Sequence, residues 1–469
     1  MRPGDPESFI DLMNRSLVGK RPTFHRSQQR SNSYRIMLWL VLIMGGVWLM
    51  LQVQSGAVEP LFVPTPTPTR VFHSYVQEAQ AYFALGKIDD PNSENDAIDT
   101  YRMALQVDPQ NAETWAELAR IQTYSSSLLP TRDQVVTRLS EALDAIDRAL
   151  ELDPDSSNAH AIRSFVLDWS APYAEETRER DRLLTEALNS ATRAIQLDPD
   201  NGMALAFLAE VQLDNQKWSE AQRYAEIAIQ ISPDSMDARR VYARVLESLG
   251  AYRRAIEEYQ AAVNINPNLT FLYIKIGVNF RHLEVYDRAL EYFDMAVKIN
   301  DQLGIKDPLP YIAIAKTYSR TGDFFIAARN AEKAISLDPG QANTYGQLGI
   351  IYFKSRNYEY ALPALKCAVV SCSAQENEVL ARLIDENPLW EVDLVGVEAL
   401  PLDNAEIAYY YAVYGQTLAY LSRPQENYCG IALPVLNAVR QKYPDDPSLM
   451  SIVNGSEQIC RNLASTPAP

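Results

Sequence analysis

Histidine and cysteine are both scarce, with four of each in 469 residues. No H-E-x-x-H zinc pair occurs, and Cys367, Cys372, Cys429 and Cys460 form no C-x-x-C. A disulfide-dense scaffold is therefore excluded, as are the common zinc frameworks. No Walker loop, G-x-G-x-x-G or G-x-S-x-G is present, so the usual phosphate cradles and nucleophile turns are missing. His160 and Asp168 fall on one stretch without a nucleophile nearby, and His160 reads as a packing residue. Positive charge is also in deficit. The net charge of −17 argues against nucleic acid as a partner for the chain as a whole. These absences describe a non-catalytic protein with no cofactor, no metal, no small-molecule substrate and no nucleic-acid partner.

What is present begins with length. A chain of 469 residues exceeds one ordinary core, which leaves several domains or a repeat array. Residues 36–53 carry no charge, enough apolar chain to cross a bilayer as one helix. The preceding residues 1–35 hold seven basic and three acidic side chains and read as a disordered tail. The positive-inside rule places that tail in the cytoplasm and the bulk of the chain, net −21, outside. A cleaved signal peptide competes, because "SGA" at 55–57 suits cleavage. The apolar run is longer than the roughly 7–15 residues of a signal core, so an uncleaved single-pass anchor is expected. "VPTPTPTR" then closes a stiff Pro/Thr spacer over 54–70.

A short proline motif recurs beyond the spacer: VDPQ at 107, LDPD at 152 and 197, ISPD at 231, INPN at 265, LDPG at 337. Paired carboxylates around a proline suggest a metal site. Calcium, however, needs about six to eight oxygens in one compact loop, and these turns supply too few. The spacing is more informative. Pro109, Pro154, Pro199, Pro233 and Pro267 stand 45, 45, 34 and 34 residues apart. A 34-residue period is that of a helix–turn–helix repeat. The proline ends the second helix of each pair, and the residues beyond it, Asp155 with Ser156 and Asp200 with Asn201, can cap the next helix.

Within each period the apolar residues confirm two helices. Tyr273, Ile276, Gly277 and Phe280 recur at three- and four-residue steps, then Ala289, Phe293 and Ala296 form a second stripe. The same slots hold Tyr345, Leu348, Gly349, Tyr352, Ala361, Leu365 and Ala368 further on. This pattern resembles the tetratricopeptide repeat family over roughly residues 75–444. The resemblance implies an all-α superhelical solenoid of about nine helix pairs. Eight pairs would occupy 71–373. An irregular insertion would follow at 374–404, and the last pair with a capping helix would fill 405–463 before a disordered tail at 464–469. Eleven-residue insertions in pairs two and three, and four residues near 301, should disturb particular turns. Trp390, Leu394 and Val397 in the 374–404 insertion are expected to pack on adjacent helices.

The resemblance also suggests sites. Antiparallel arms of nearly equal length around "YPDDP" would bring Cys429 to Cys460, and a disulfide there suits an oxidising compartment. Cys367 and Cys372 could pair only if the last helical turn unwinds. In this family the first helix of each pair lines the concave face. The ligand-facing slots hold Arg240 and Arg244, then Phe271, Ile274, Arg281 and His282. Ile312, Lys316 and Arg320 follow, then Asn343, Phe353 and Lys354. A basic strip in an acidic chain suits an acidic or carboxylate-ended peptide. The family's chaperone-binding carboxylate clamp is not supported, because its fifth slot reads Arg240, Ile274, Ile312 and Gly346. The expected function is a membrane-anchored, extracytoplasmic scaffold for protein or peptide partners. The alternative is an assembly factor that holds envelope clients transiently.

Overall fold

The computed structural model describes residues 32–54, 70–90, 95–129, 132–174, 176–377 and 395–465. The chain divides into two units, residues 1–69 and 70–469. The first contains one described helix, α1 (Ser33–Gln54), three residues longer at its start than the uncharged run. Its 22 residues span about 33 Å, sufficient for a bilayer core. By length and composition it can cross a membrane, and a signal sequence would satisfy the same criterion. Most of the preceding tail, and residues 55–69 of the Pro/Thr spacer, lie outside the described residues.

The second unit is built from helix hairpins. The pairs are α2 (Phe72–Ala84) with α3 (Ala97–Val107), α4 (Ala112–Ser126) with α5 (Arg132–Leu152), and α6 (Ser157–Ser170) with α7 (Thr177–Leu197). Next come α8 (Gly202–Asp214) with α9 (Trp218–Ile231), α10 (Met236–Ser248) with α11 (Tyr252–Ile265), and α12 (Thr270–His282) with α13 (Tyr286–Leu303). The series continues with α14 (Leu309–Thr321) and α15 (Phe324–Leu337), then α16 (Ala342–Lys354) and α17 (Tyr358–Val369). A ninth pair, α18 (Ala405–Leu421) and α19 (Cys429–Lys442), is followed by the closing helix α20 (Pro447–Ser465). Each helix packs on its hairpin partner, and the second helix of each pair packs on the helix that follows it, as a solenoid requires.

The proline motif works as a joint. Asp108, Asp153, Asp198 and Asp338 each accept the backbone N–H two residues on, an Asx turn that breaks the preceding helix. Asn111, Ser156, Asn201 and Ser235 then cap α4, α6, α8 and α10 by accepting an N–H three residues ahead. The side chain six residues after the proline often closes the joint by binding the proline carbonyl. Trp115 does so at 3.0 Å, His160 at 3.0 Å, Arg239 at 2.9 Å, Tyr273 at 2.7 Å and Tyr345 at 3.0 Å. His160 is thus a turn fastener rather than a packing residue.

The insertions lengthen helices and leave the joints intact. α5 and α7 run 21 residues where α9, α11 and α15 run 14. The four extra residues near 301 extend α13 to 18 residues, ended by Gly304 at φ +72°. The described part of the 374–404 insertion forms one antiparallel bridge between Cys372 and Val397, with Val397 buried. Trp390 and Leu394 lie outside the described residues.

The first helices do not leave the interior of pairs one to six open. Asn268, just before α12, donates to the Ala84 carbonyl at the end of α2, at 3.1 Å. Gly86 makes the approach possible. Its φ is +76°, and a Cβ there would stand 2.6 Å from the Asn268 carbonyl oxygen. Deeper inside, the Tyr124 ring of α4 stacks on Phe271 of α12, centroids 5.8 Å apart. Pairs one and two therefore close onto pairs five and six.

Candidate functional site

The concave slots divide into two regions with different electrostatics. In the first, Arg240 of α10 grips Glu210 of α8 through both terminal nitrogens at 2.7 Å, and the two side chains are essentially buried. Arg244, one turn along, binds the same carboxylate at 2.5 Å and Asp214 at 2.8 Å. Burial pushes the Glu210 carboxyl up, but the two guanidinium groups outweigh it and hold it at about 2. Arg240 and Arg244, expected to be open to a peptide, are thus already engaged by the chain's own acids.

The network continues across the closure. Arg240 donates to the Tyr124 hydroxyl at 3.1 Å, and that hydroxyl donates to Asp237. Asp237 also pairs with Arg120, which binds Glu117. On the other side Lys275 pairs with Glu247 at 3.3 Å, and Tyr259 donates to Glu247 at 3.0 Å. Glu210, Asp214, Arg240, Arg244 and Lys275 line a cavity of about 340 Å³ together with Trp169, Tyr173, Tyr259 and Phe271. Asp168 lines it with 1% of its surface exposed. Neither carboxyl oxygen accepts a hydrogen bond from an N–H or hydroxyl donor. Burial, then Asp214 and Glu210, raise its pKa far above the usual carboxylate range.

The second region runs along α12, α14 and α16. Arg281 donates to the Ala313 carbonyl at 3.3 Å and lies over the Phe293 ring. No carboxylate among the described residues pairs with Arg281, Arg320 or Lys354. Burial and the Arg320 charge lower Arg281 to about 10, and the same two causes lower Lys354. His282 is likewise lowered, by burial and then Arg281. Lys316 is held by Glu406 of α18 at 3.0 Å. Asn343 accepts from the Tyr410 hydroxyl at 2.7 Å. Ile274 packs on the small apolar cluster around Phe293, and Phe271 belongs to the first region. The twelve-residue strip thus contracts to three uncompensated cations on successive repeats.

Asp168, Trp169, Tyr173 and Tyr259 were not among the expected site residues. One signal for the network was present. Arg240 follows Glu210 by 30 residues and Arg244 follows Asp214 by 30, which is one repeat less one helical turn. A carboxylate and a guanidinium at that interval face each other on adjacent first helices.

The four cysteines form two disulfides, Cys367–Cys372 and Cys429–Cys460. α17 ends at Val369, and Ser371 at φ +86° turns the chain so that Cys372 comes back to Cys367. Among the described residues no cluster of His, Cys, Asp or Glu has the arrangement of a metal site.

Comparison with known proteins agrees with this architecture. Residues 208–270 match the tetratricopeptide repeat family. The fold is that of a tetratricopeptide-type solenoid. A chain from the crystal structure of the APC/C hetero-tetramer Cut9-Hcn1 superposes with a TM-score of 0.52 at 17% identity. The match covers 82% of the present chain but only 64% of that one, so the likeness is one of fold. A thermophilic TPR protein of Thermus thermophilus aligns over 45% of the present chain and 99% of its own, with TM-score 0.36 and 18% identity. YrrB, described as a TPR protein with an unusual peptide-binding site, aligns over 44% and 94%, with TM-score 0.25 and 20% identity. No curated protein matches the sequence.

Proposed function

We propose that this protein is a non-catalytic, membrane-anchored scaffold that holds acidic or carboxylate-ended segments of partner proteins. Tetratricopeptide-type solenoids suit protein–protein interaction, and the site within this one is Arg281, Arg320 and Lys354. The observation that carries the reading is their common lack of an acidic partner among the described residues. Three like charges on adjacent first helices are mutually repulsive, and a carboxylate laid across them relieves that repulsion. The apolar α1 supports the anchor, the basic tail supports a cytoplasmic N-terminus, and two disulfides support an extracytoplasmic solenoid.

Fluorescence anisotropy of a labelled glutamate-rich peptide against the detergent-solubilised full chain tests this. Saturable binding that weakens with salt is expected, and Arg320→Glu with Lys354→Glu should remove it. Unchanged binding by the double variant would refute the assignment.

A further inference from the structure

The cavity beside Glu210, Arg240 and Phe271 has charges that exclude more than they attract. Three cations and three acids line it, and each already has a partner. Arg240 and Arg244 hold Glu210, Arg244 also holds Asp214, and Lys275 pairs with Glu247. Asp168 keeps its proton and shares it with Asp214, and its two carboxyl oxygens are closed to solvent. A charged ligand of either sign would lose its hydration here and meet no free counter-charge.

What the cavity presents instead is mainly apolar surface. Trp169, Tyr173, Tyr259 and Phe271 place four aromatic rings around it, with Pro172 beside them. Its volume of about 340 Å³ is roughly twice that of an apolar cavity that takes up benzene. Rings around a flat guest supply offset-stacked and edge-on contacts that a saturated group of the same size would miss. Three of the wall residues come from parts of the chain that break the repeat. Ser127 belongs to the insertion in pair two. Pro172 and Tyr173 belong to that in pair three, where Ala171–Tyr173 forms a single 3-10 turn. Phe271 belongs to the closure, through its stacking on Tyr124. An uninterrupted 34-residue array would carry neither insertion.

We propose that this cavity binds a neutral aromatic group of one or two rings, from a small molecule or from a side chain of a partner protein. The guest would enter past Tyr173 and Phe271, which are both partly exposed, and rest against Tyr259, which is buried. The site shares no residue with Arg281, Arg320 and Lys354 and does not depend on the peptide-binding role given to them.

Isothermal titration of the full chain in lipid nanodiscs, with empty nanodiscs subtracted, tests this. Detergent is avoided because its alkyl chain competes for an apolar cavity. The probe is phenol, which is neutral at pH 7. Cyclohexanol is its saturated counterpart, and benzylamine and benzoate carry the same ring with a charge of either sign. Saturable phenol binding is expected, about tenfold tighter than that of the other three. Tyr173→Ala should weaken phenol about three- to tenfold, and Tyr173→Phe, which keeps the ring, should not. Both variants retain the Tyr173 carbonyl that accepts from Arg132, so the turn should still form. Acetyl-Gly-Tyr-Gly-amide separates the sources: tighter binding than phenol identifies a side chain of a partner protein, weaker binding a small molecule. The proposal is overturned by a lack of saturable phenol binding, by equal binding of cyclohexanol or of either charged analogue, or by an unchanged affinity in Tyr173→Ala.

Discussion

Arg240 meets Glu210 end on, with Nη1 to Oε1 and Nη2 to Oε2 both at 2.7 Å, one helix pair apart and out of contact with solvent. The same carboxylate is bound by Arg244. Glu210→Ala leaves two guanidinium groups facing each other in a mostly buried site. The loss expected on removing one partner of a buried pair is about 3–5 kcal/mol. Asp214→Ala should cost less, because Asp214 and Arg244 are both partly exposed. Urea unfolding followed by tryptophan fluorescence ranks the two, and equal midpoints would contradict the central role of Glu210.

Asp168 gives a stability profile of the opposite sign to Glu210. Its folded pKa is raised, so its contribution is fully present below the unfolded value near 3.8 and declines as pH rises toward the folded value. Within that interval each pH unit removes about 1.4 kcal/mol. Asp168→Asn removes this dependence and should therefore stabilise the protein at pH 7 more than at pH 4. Glu210 is depressed to about 2, so its contribution is present above about 4.5 and is lost as pH falls below that. Thermal melts of the wild type, Asp168→Asn and Glu210→Gln between pH 3 and 8 check both signs. A constant difference between Asp168→Asn and wild type would refute the first.

Much of this arrangement was legible in the sequence because it repeats locally. The LDPD joints, their caps and the helix pairs are each set by residues within one repeat unit, and the periodicity exposes them. The closure of pairs one and two onto five and six was not legible. Tyr124 and Asp237 lie 113 residues apart, and their meeting depends on small rotations summed over several repeats. The cations of the basic strip are visible at fixed slots of the repeat. That Arg240 and Arg244 are neutralised is visible only in the 30-residue interval back to Glu210 and Asp214, a relation between two repeats that the slots of one repeat do not show.

Gly346 explains why the fifth slot of pair eight cannot hold a clamp residue. A Cβ there would stand 2.6 Å from the ring of Tyr410, which is 1% exposed. The Tyr410 hydroxyl is tied to Asn343 and Gln347, so the ring cannot withdraw freely. Gly346→Ala should cost about 1–3 kcal/mol through overpacking. In a Tyr410→Ala background the same substitution should cost little, because the clashing ring is gone. A double-mutant cycle measured by chemical denaturation decides it, and an undiminished cost in that background would place the strain elsewhere.

Cys429 begins α19 and Cys460 lies near the end of α20, so their disulfide ties the closing helix to the last pair across 31 residues. Loop-closure entropy assigns such a crosslink about 3–4 kcal/mol. Cys367–Cys372 closes only five residues and should contribute about 2 kcal/mol by the same relation. The closing helix has its apolar face on one side, with Leu449, Val453 and Cys460 buried against the ninth pair. Without the crosslink it is held by that face and by Arg440, which reaches Glu457 at 2.7 Å and Asn454 at 3.0 Å. Reduction should therefore raise hydrogen exchange in 429–465 well before it affects 157–265. Cys429→Ala with Cys460→Ala should reproduce that pattern, and Cys367→Ala with Cys372→Ala should not. Four titratable thiols in the protein isolated natively under non-reducing conditions would remove both crosslinks, and with them one support for an extracytoplasmic solenoid.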